Sequence, residues 1–163
     1  MLLQRKQETV STIQYLSALL TNKKSKYKPI LILISGYPGA GKSTLAKELL
    51  TYLPFKCEHY EADQYFMNSS GYLFNANKLH EAHKYCIDNT DAALSSGISV
   101  IVSNTFTKDW EIKKYKDLGY RTVIIQCSGE FCNIHDCPEQ VVNKMKENLK
   151  VRKTNPDILY NPE

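Results

Sequence analysis

Residues 30–44 read ILILISGYPGAGKST. The unbroken apolar run at its start lacks the in–out alternation of a half-exposed strand and predicts a parallel strand buried on both faces. From Lys42 onward, Leu45, Leu49 and Leu53 return at helical spacing and predict a helix. Between strand and helix, Gly36 to Ser43 satisfy the pattern G-x4-G-K-[ST], in the structural context that this pattern requires.

Such a loop dictates its ligand. Gly36, Gly39 and Gly41, with Pro38 and Ala40 between them, let successive backbone N–H groups turn inward without a Cβ in the way. The helix beginning near Lys42, Ser43 and Thr44 aims its positive dipole end at the same place, so the expected guest is a phosphate chain. Lys42 is expected to reach the β- and γ-oxygens of a nucleoside triphosphate, most naturally ATP, and the Ser43 hydroxyl to bind Mg²⁺. A glycine-rich turn with a surface lysine is the plainer alternative, and it leaves the flanking strand and helix unexplained.

Working outward, CEHYEA (57–62), ISVIVS (98–103) and RTVIIQC (121–127) read as three further strands. Between them, a helix capped by Asn77 carries Leu79, Ala82, Cys86, Thr90 and Ala93 on one face, and KDWEIKKYKDLG (108–119) forms a second, stopped by Gly119. A last helix follows Pro138 with Val141, Val142, Met145 and Leu149 inward, and the tail TNPDILYNPE (154–163) is expected to be irregular. Alternating strands and helices predict an α/β fold, with a small parallel sheet of about four strands covered on both faces. Val10, Ile13, Leu16 and Leu20 add an amphipathic N-terminal helix, so the expected division is a helical extension at 1–28 and the main domain at 29–163.

Composition narrows the class. A chain of 163 residues fits one core. The formal net charge of +4 and isoelectric point near 8.7 suit an anionic ligand but fall short of the value of about 9 typical of dedicated nucleic-acid binders. The first twenty residues interrupt their apolar positions with Gln, Arg, Lys and Glu, and no run approaches the roughly 18 residues of a membrane span. The expected location is therefore the cytoplasm, with no membrane partner. Five cysteines form an odd set, and the stretch Cys127, Cys132, His135, Cys137 lacks the C-x2-C spacing of zinc knuckles, so free thiols are expected over zinc.

In open parallel sheets, ligands lie beyond the carboxyl ends of the strands. Asp63 follows the second strand, where it can serve as a base toward an acceptor hydroxyl or simply cap a turn. Asn104 and Thr105 follow the third.

The stretches GYPGAGKST (36–44), EADQYF (61–66), LHEAHKYC (79–86), VIVSNTF (100–106) and NIHDCPEQVVNKM (133–145) together resemble the P-loop polynucleotide-kinase-like phosphotransferases. Similar are the kinase module of phage-type polynucleotide 5′-hydroxyl kinases and standalone relatives labelled AAA-family ATPases. The likeness runs from about Ile30 to Leu149 and leaves the N-terminal helix outside. It implies that Asp63 is the base, that Asn104 and Thr105 line the acceptor side, and that the segment after the fourth strand is a lid. Two departures stand out. Phe66 occupies the place of an acceptor-binding Arg, and FCNIHDCPE (131–139) holds no Arg, which leaves Lys144 or Arg152 as the cations available to the nucleotide. Where many P-loop proteins carry an acidic metal ligand, Ser103 and Asn104 are neutral.

The resulting expectation is ATP- and Mg²⁺-dependent transfer to a hydroxyl, foremost a nucleic-acid 5′-hydroxyl with Phe66 near the acceptor. A nucleoside or sugar kinase shares the same residues, and an ATP-binding regulatory module without transfer is the reading from another class.

Overall fold

The computed structural model describes residues 2–20, 28–131 and 137–161. Helix α1 (Leu2–Leu20) precedes strand β1 (Ile30–Ser35), helix α2 (Lys42–Tyr52) and strand β2 (Cys57–Tyr60). A 3-10 turn (Ala62–Phe66) leads into a small hairpin, β3 (Met67–Asn68) and β4 (Gly71–Tyr72), then helix α3 (Leu79–Ser95) and strand β5 (Ser99–Ser103). Helix α4 (Asp109–Lys116), strand β6 (Arg121–Cys127), helix α5 (Glu139–Val151) and strand β7 (Ile158–Tyr160) complete the chain.

The main sheet has the order β2-β5-β1-β6-β7, with every pairing parallel. Central β1 is buried along its whole length, as its apolar run demands. Its side chains alternate between two cores. Ile30, Ile32 and Ile34 meet Leu45, Ala46 and Leu49 of α2, whereas Leu31 and Leu33 meet Cys86 and Leu94 of α3 and Ile112 and Tyr115 of α4. At about 1.5–3 kcal/mol for each fully buried aliphatic side chain, this strand anchors both layers.

Three details depart from the expected pattern. The tail is not wholly irregular: β7 adds a fifth strand, locked by Asp157, whose N–H donates to Ile124 O (2.8 Å) and whose carboxylate accepts from Ile124 N (2.8 Å). Asn75, not Asn77, supplies the cap before α3: its side chain accepts from Asn77 N, and a 3-10 turn at Ala76–Lys78 delays the helix to Leu79, which is exposed. On α5 only Leu149 is buried, while Val141 faces solvent.

Helix α1 turns a mixed face inward. Leu16 is fully buried in the α2-side core, and Thr9 bonds to Glu48 Oε2 (2.9 Å) and to the Tyr160 hydroxyl (3.2 Å). Val10, expected inside, is 50% exposed, because the inward stripe runs through Thr9, Thr12 and Leu16. The side chain of Leu20 lies outside the described residues. Substituting Leu16→Ala should cost about 2–5 kcal/mol of stability in urea unfolding, the range for a buried Leu that leaves a cavity. An unchanged midpoint would show that α1 is a detachable appendage.

Candidate active site

The loop after β1 rises between the ends of β5 and β6, where the chain crosses from one side of the sheet to the other. Gly36 donates its N–H to Thr105 O (3.2 Å), and a Cβ there would lie 2.8 Å from Cys127 O and 3.0 Å from Ala40 Cβ. No other residue fits without displacing backbone. Gly39 (φ 83°) and Gly41 (φ 91°) adopt left-handed conformations that suit glycine. Gly41 ends the loop as the residue before α2, so the unpaired first-turn N–H groups of that helix, from Lys42 on, belong to the phosphate cradle. Lys42 folds back to donate to Tyr37 O (3.1 Å). Burial lowers its pKa, opposed by the nearby Cys127, Glu61 and Asp63.

Both carboxylates come from the segment after β2. Asp63, half-buried in the 3-10 turn, accepts a hydrogen bond from the Tyr72 hydroxyl of the hairpin (3.1 Å). Ala62 N donates to Asn104 Oδ1 (2.9 Å), tying the start of this turn to the end of β5. Asn104 therefore holds the turn that carries Asp63. Thr105 contributes its carbonyl to Gly36.

Glu61, which the sequence reading did not single out, stands next to Ser43, the residue expected to hold the metal. Its carboxylate accepts from Ser103 Oγ (2.5 Å) and lies 3.3 Å from His59 Nε2, with the Ser43 hydroxyl near enough to favour its charged form. Burial works against its charge, yet His59, Ser103 and Ser43 prevail and bring its pKa from 4.5 down to about 2. The neutral pair at the end of β5 is thus complemented by an acid from the neighbouring strand. The E-x-D spacing of Glu61 and Asp63 was the available signal, because alternate residues after a strand can face one site. Oxygen donors of this kind fit Mg²⁺. Among the described residues no cluster of three or more His, Cys, Asp or Glu side chains could hold a metal alone, so phosphates and water would complete the shell.

Two expected contacts are corrected. Phe66 is only 5% exposed and packs with Ala62 and Ala82, with Phe74 stacked edge-on (centroids 5.2 Å apart), so it supports the hairpin from beneath and does not face an acceptor. Arg152 is 8% exposed and donates to Phe106 O (2.7 Å), Gln126 Oε1 (3.0 Å) and Thr154 O (3.0 Å), bonds that commit it to bracing the fold and not to ATP. Lys144 forms an exposed pair with Glu147 (3.3 Å). The cation beside the loop is Lys146, 4.6 Å from the Tyr37 ring centroid and 3.0 Å from Glu130. Together with Tyr37, Pro38 and Phe131 it lines a cavity of about 310 Å³. Cys132 and His135 lie outside the described residues, so the zinc alternative is untouched, while Cys127 is buried in the core.

A parallel sheet of this order with a glycine loop after its central strand defines a P-loop domain of the kinase-like kind. Residues 31–133 match the AAA domain family, and the chain belongs to it. A human relative, NEDD4-binding protein 2, is 33% identical over 106 residues, which is 64% of this chain but only 6% of that protein. Among solved structures, APS kinase CysC of Mycobacterium tuberculosis, in complex with AMPPNP and APS, superposes with a TM-score of 0.54 at 17% identity, covering 83% of this chain and 90% of that one. A gluconokinase from Sinorhizobium meliloti gives 0.55 at 15%, covering 83% and 84%. A chain of the Pnkp1/Rnl/Hen1 RNA repair complex gives 0.55 at 18%, covering 82% and 42%. At these identities the likeness is one of fold. Among the described residues no helix is long and apolar enough to cross a membrane.

Two measurements check this description of the site. Replacing Arg152→Ala should cost about 3 kcal/mol in urea unfolding, since charge-assisted bonds to buried carbonyls are lost, and leave ATP affinity of the folded protein unchanged. The depressed pKa of Glu61 contributes stability that is complete above 4.5 and is lost as pH falls toward about 2. Acid unfolding of Glu61→Gln should therefore show a shallower loss over that window than the wild type.

Proposed function

We propose that the chain is an ATP- and Mg²⁺-dependent phosphotransferase acting on a hydroxyl, with a nucleic-acid 5′-hydroxyl as the preferred acceptor. The observation that carries this reading is the convergence on Lys42 of two carboxylates, Glu61 and Asp63, from one short segment after β2. A module that only held Mg²⁺ and ATP would have use for Glu61 beside the cation, but not for Asp63 held toward an acceptor by Tyr72. Lys42, Gly36, Gly39, Gly41 and the first turn of α2 would bind the β- and γ-phosphates, with Pro38, Ala40 and Thr44 shaping the loop. Ser43 would hold Mg²⁺, which when bound offsets the charge on the phosphate oxygens. Asp63, fixed by Tyr72 and by the Asn104-anchored turn, takes the acceptor's proton as the hydroxyl oxygen bonds to the γ-phosphorus and the bond to the β,γ-bridging oxygen breaks, releasing ADP.

The acceptor preference is supported by the surface next to Asp63. Tyr72 and Phe74 of the hairpin region are exposed, and bases stack on such rings for about 1–3 kcal/mol each. The RNA repair complex among the structural neighbours agrees with that preference, whereas gluconokinase and APS kinase keep small-molecule acceptors as the second reading.

Labelled ATP offered with 5′-hydroxyl oligonucleotides, nucleosides and sugars tests the proposal. Transfer to an oligonucleotide should be seen, and Asp63→Asn should reduce it by about 10²–10⁴-fold while ATP still binds. Transfer to nucleosides or sugars alone would replace the preferred acceptor, and phosphate release equal in both forms would remove transfer altogether. Lys42→Ala should impair nucleotide binding in every case.

A further inference from the structure

Trp110 is the single tryptophan of the chain, and it lies 53% exposed in the first turn of α4. A ring of that size left in water forgoes the burial that Ile112 and Tyr115 of the same helix obtain in the core. Its place is set by the sheet. Strand β5 ends at Ser103, Asn104 then accepts from Ala62 N of the turn that carries Asp63 (2.9 Å), and Trp110 follows Asn104 by six positions. Such a stretch reaches at most about 20 Å, at about 3.3–3.6 Å for each extended residue. Side chains of a helix lean toward its N-terminus, so the indole of a first-turn residue leans toward the end of the sheet that holds the phosphate loop.

The charge beside the ring is positive. Lys114, one turn further on, sets its Nζ 4.8 Å from the indole centroid. The acids of the same helix are engaged elsewhere: Asp109 accepts from Lys153 N (3.1 Å) and Thr154 N (2.7 Å), and Glu111 accepts from Lys108 N (2.8 Å). Lys113 is matched by Asp117 (2.6 Å), whereas no carboxylate pairs with Lys114 among the described residues. An exposed aromatic face beside a cation answers the two things that a single nucleic-acid strand presents, a base to stack and a phosphate to neutralise.

We propose that the exposed face of α4 formed by Trp110 and Lys114 carries the single strand that leads away from the acceptor 5′-hydroxyl, with a base stacked on the indole and a phosphate against the ammonium. The inference rests on the reading of the acceptor as a nucleic-acid end. It adds to that reading a second contact, remote from the reacting hydroxyl, that a sugar or a free nucleoside at Asp63 would not use. At about 3.4 Å per stacked nucleotide, the reach from Asn104 to Trp110 corresponds to at most about six nucleotides.

The emission of the only tryptophan reports the contact directly. Titrating 5′-hydroxyl oligothymidylates, from dimer to dodecamer, into the full chain with AMPPNP and Mg²⁺ present should quench that emission once the strand reaches about six nucleotides, while the dimer leaves it unchanged. Fluorescence anisotropy of a labelled dodecamer should show Trp110→Ala binding about tenfold more weakly and Trp110→Phe, which keeps a ring to stack on, within about threefold of wild type. Lys114→Gln should lower the slope of log affinity against log salt by about 0.7. If the dodecamer accepts phosphate while the emission stays unchanged and Trp110→Ala binds it as the wild type does, the strand runs elsewhere and only the acceptor reading stands. If no oligonucleotide binds and nucleosides or sugars alone accept phosphate, the acceptor reading falls and the α4 surface with it. Emission that shifts with phosphatidylserine vesicles and not with oligonucleotides would assign this face to a lipid surface and overturn the inference.

Discussion

The close approach of the backbone at Gly36 to two neighbouring strand ends is the constraint on which the rest of this domain depends. Strand β1 pairs with β5 on one side and β6 on the other, in registers that set Ile34 beside Ser103 and Ser35 beside Gln126. The next residue therefore emerges between two carbonyls, bonding to that of Thr105 and lying against that of Cys127. Only a residue without a side chain passes through this gap. The loop that follows is consequently aimed by the sheet, and the orientation of its N–H groups, of Lys42 and of the α2 dipole is set before any ligand arrives.

The acidic side of the site is placed by the same sheet through a different device. Strand β2 is an edge strand, and the turn beyond it has no regular ladder to hold it. Side chains supply the restraint: Asn104 takes the Ala62 N–H, Ser103 and His59 take Glu61, and Tyr72 takes Asp63. Two of these anchors come from the end of β5, so the polar residues there serve as fasteners for the adjoining strand's carboxylates. That explains how a neutral strand end coexists with an ionised acid at the position where a cation would be bound.

Much of this was legible in the sequence because its signals are local. The apolar runs of β1, β5 and β6 and the glycine pattern declared strand, loop and helix within a few residues of one another, and the loop lies where the pattern requires. What stayed hidden depends on contacts between distant residues. Strand β7 has three residues, too few to show a period, and exists because β6 offers it an edge and Asp157 secures its start. Phe66 reads as an acceptor contact until the hairpin folds over it, and Arg152 reads as a lid cation until Phe106, Gln126 and Thr154 enclose it. Glu61 was visible only as half of an E-x-D pair, since its partners belong to three other elements.

The enclosure of Arg152 also bears on which cation could meet the phosphoryl group in the proposed transfer. Phe106 is a non-glycine residue at φ 43°, a strained conformation for a bulky side chain that must be held by its surroundings. Its ring packs edge-on against Tyr115 (5.4 Å between centroids), and its carbonyl is turned onto the Arg152 guanidinium. Asp109 holds the same region from the other side, accepting from Lys153 N and Thr154 N, and the Thr154 hydroxyl leads the interactions that keep its carboxyl below the ordinary range. Phe106 directly follows Thr105, whose carbonyl receives the Gly36 N–H, so these restraints reach the phosphate loop through one peptide. An Arg152 that swung out to a phosphate would strand the Phe106 carbonyl and loosen the turn that orients Gly36. The requirement for a rigid loop thus conflicts with a mobile role for this arginine. Lys146, half-buried, pairs with the exposed Glu130 and lies over Tyr37 of the loop, and neither contact is enclosed in the fold as those of Arg152 are.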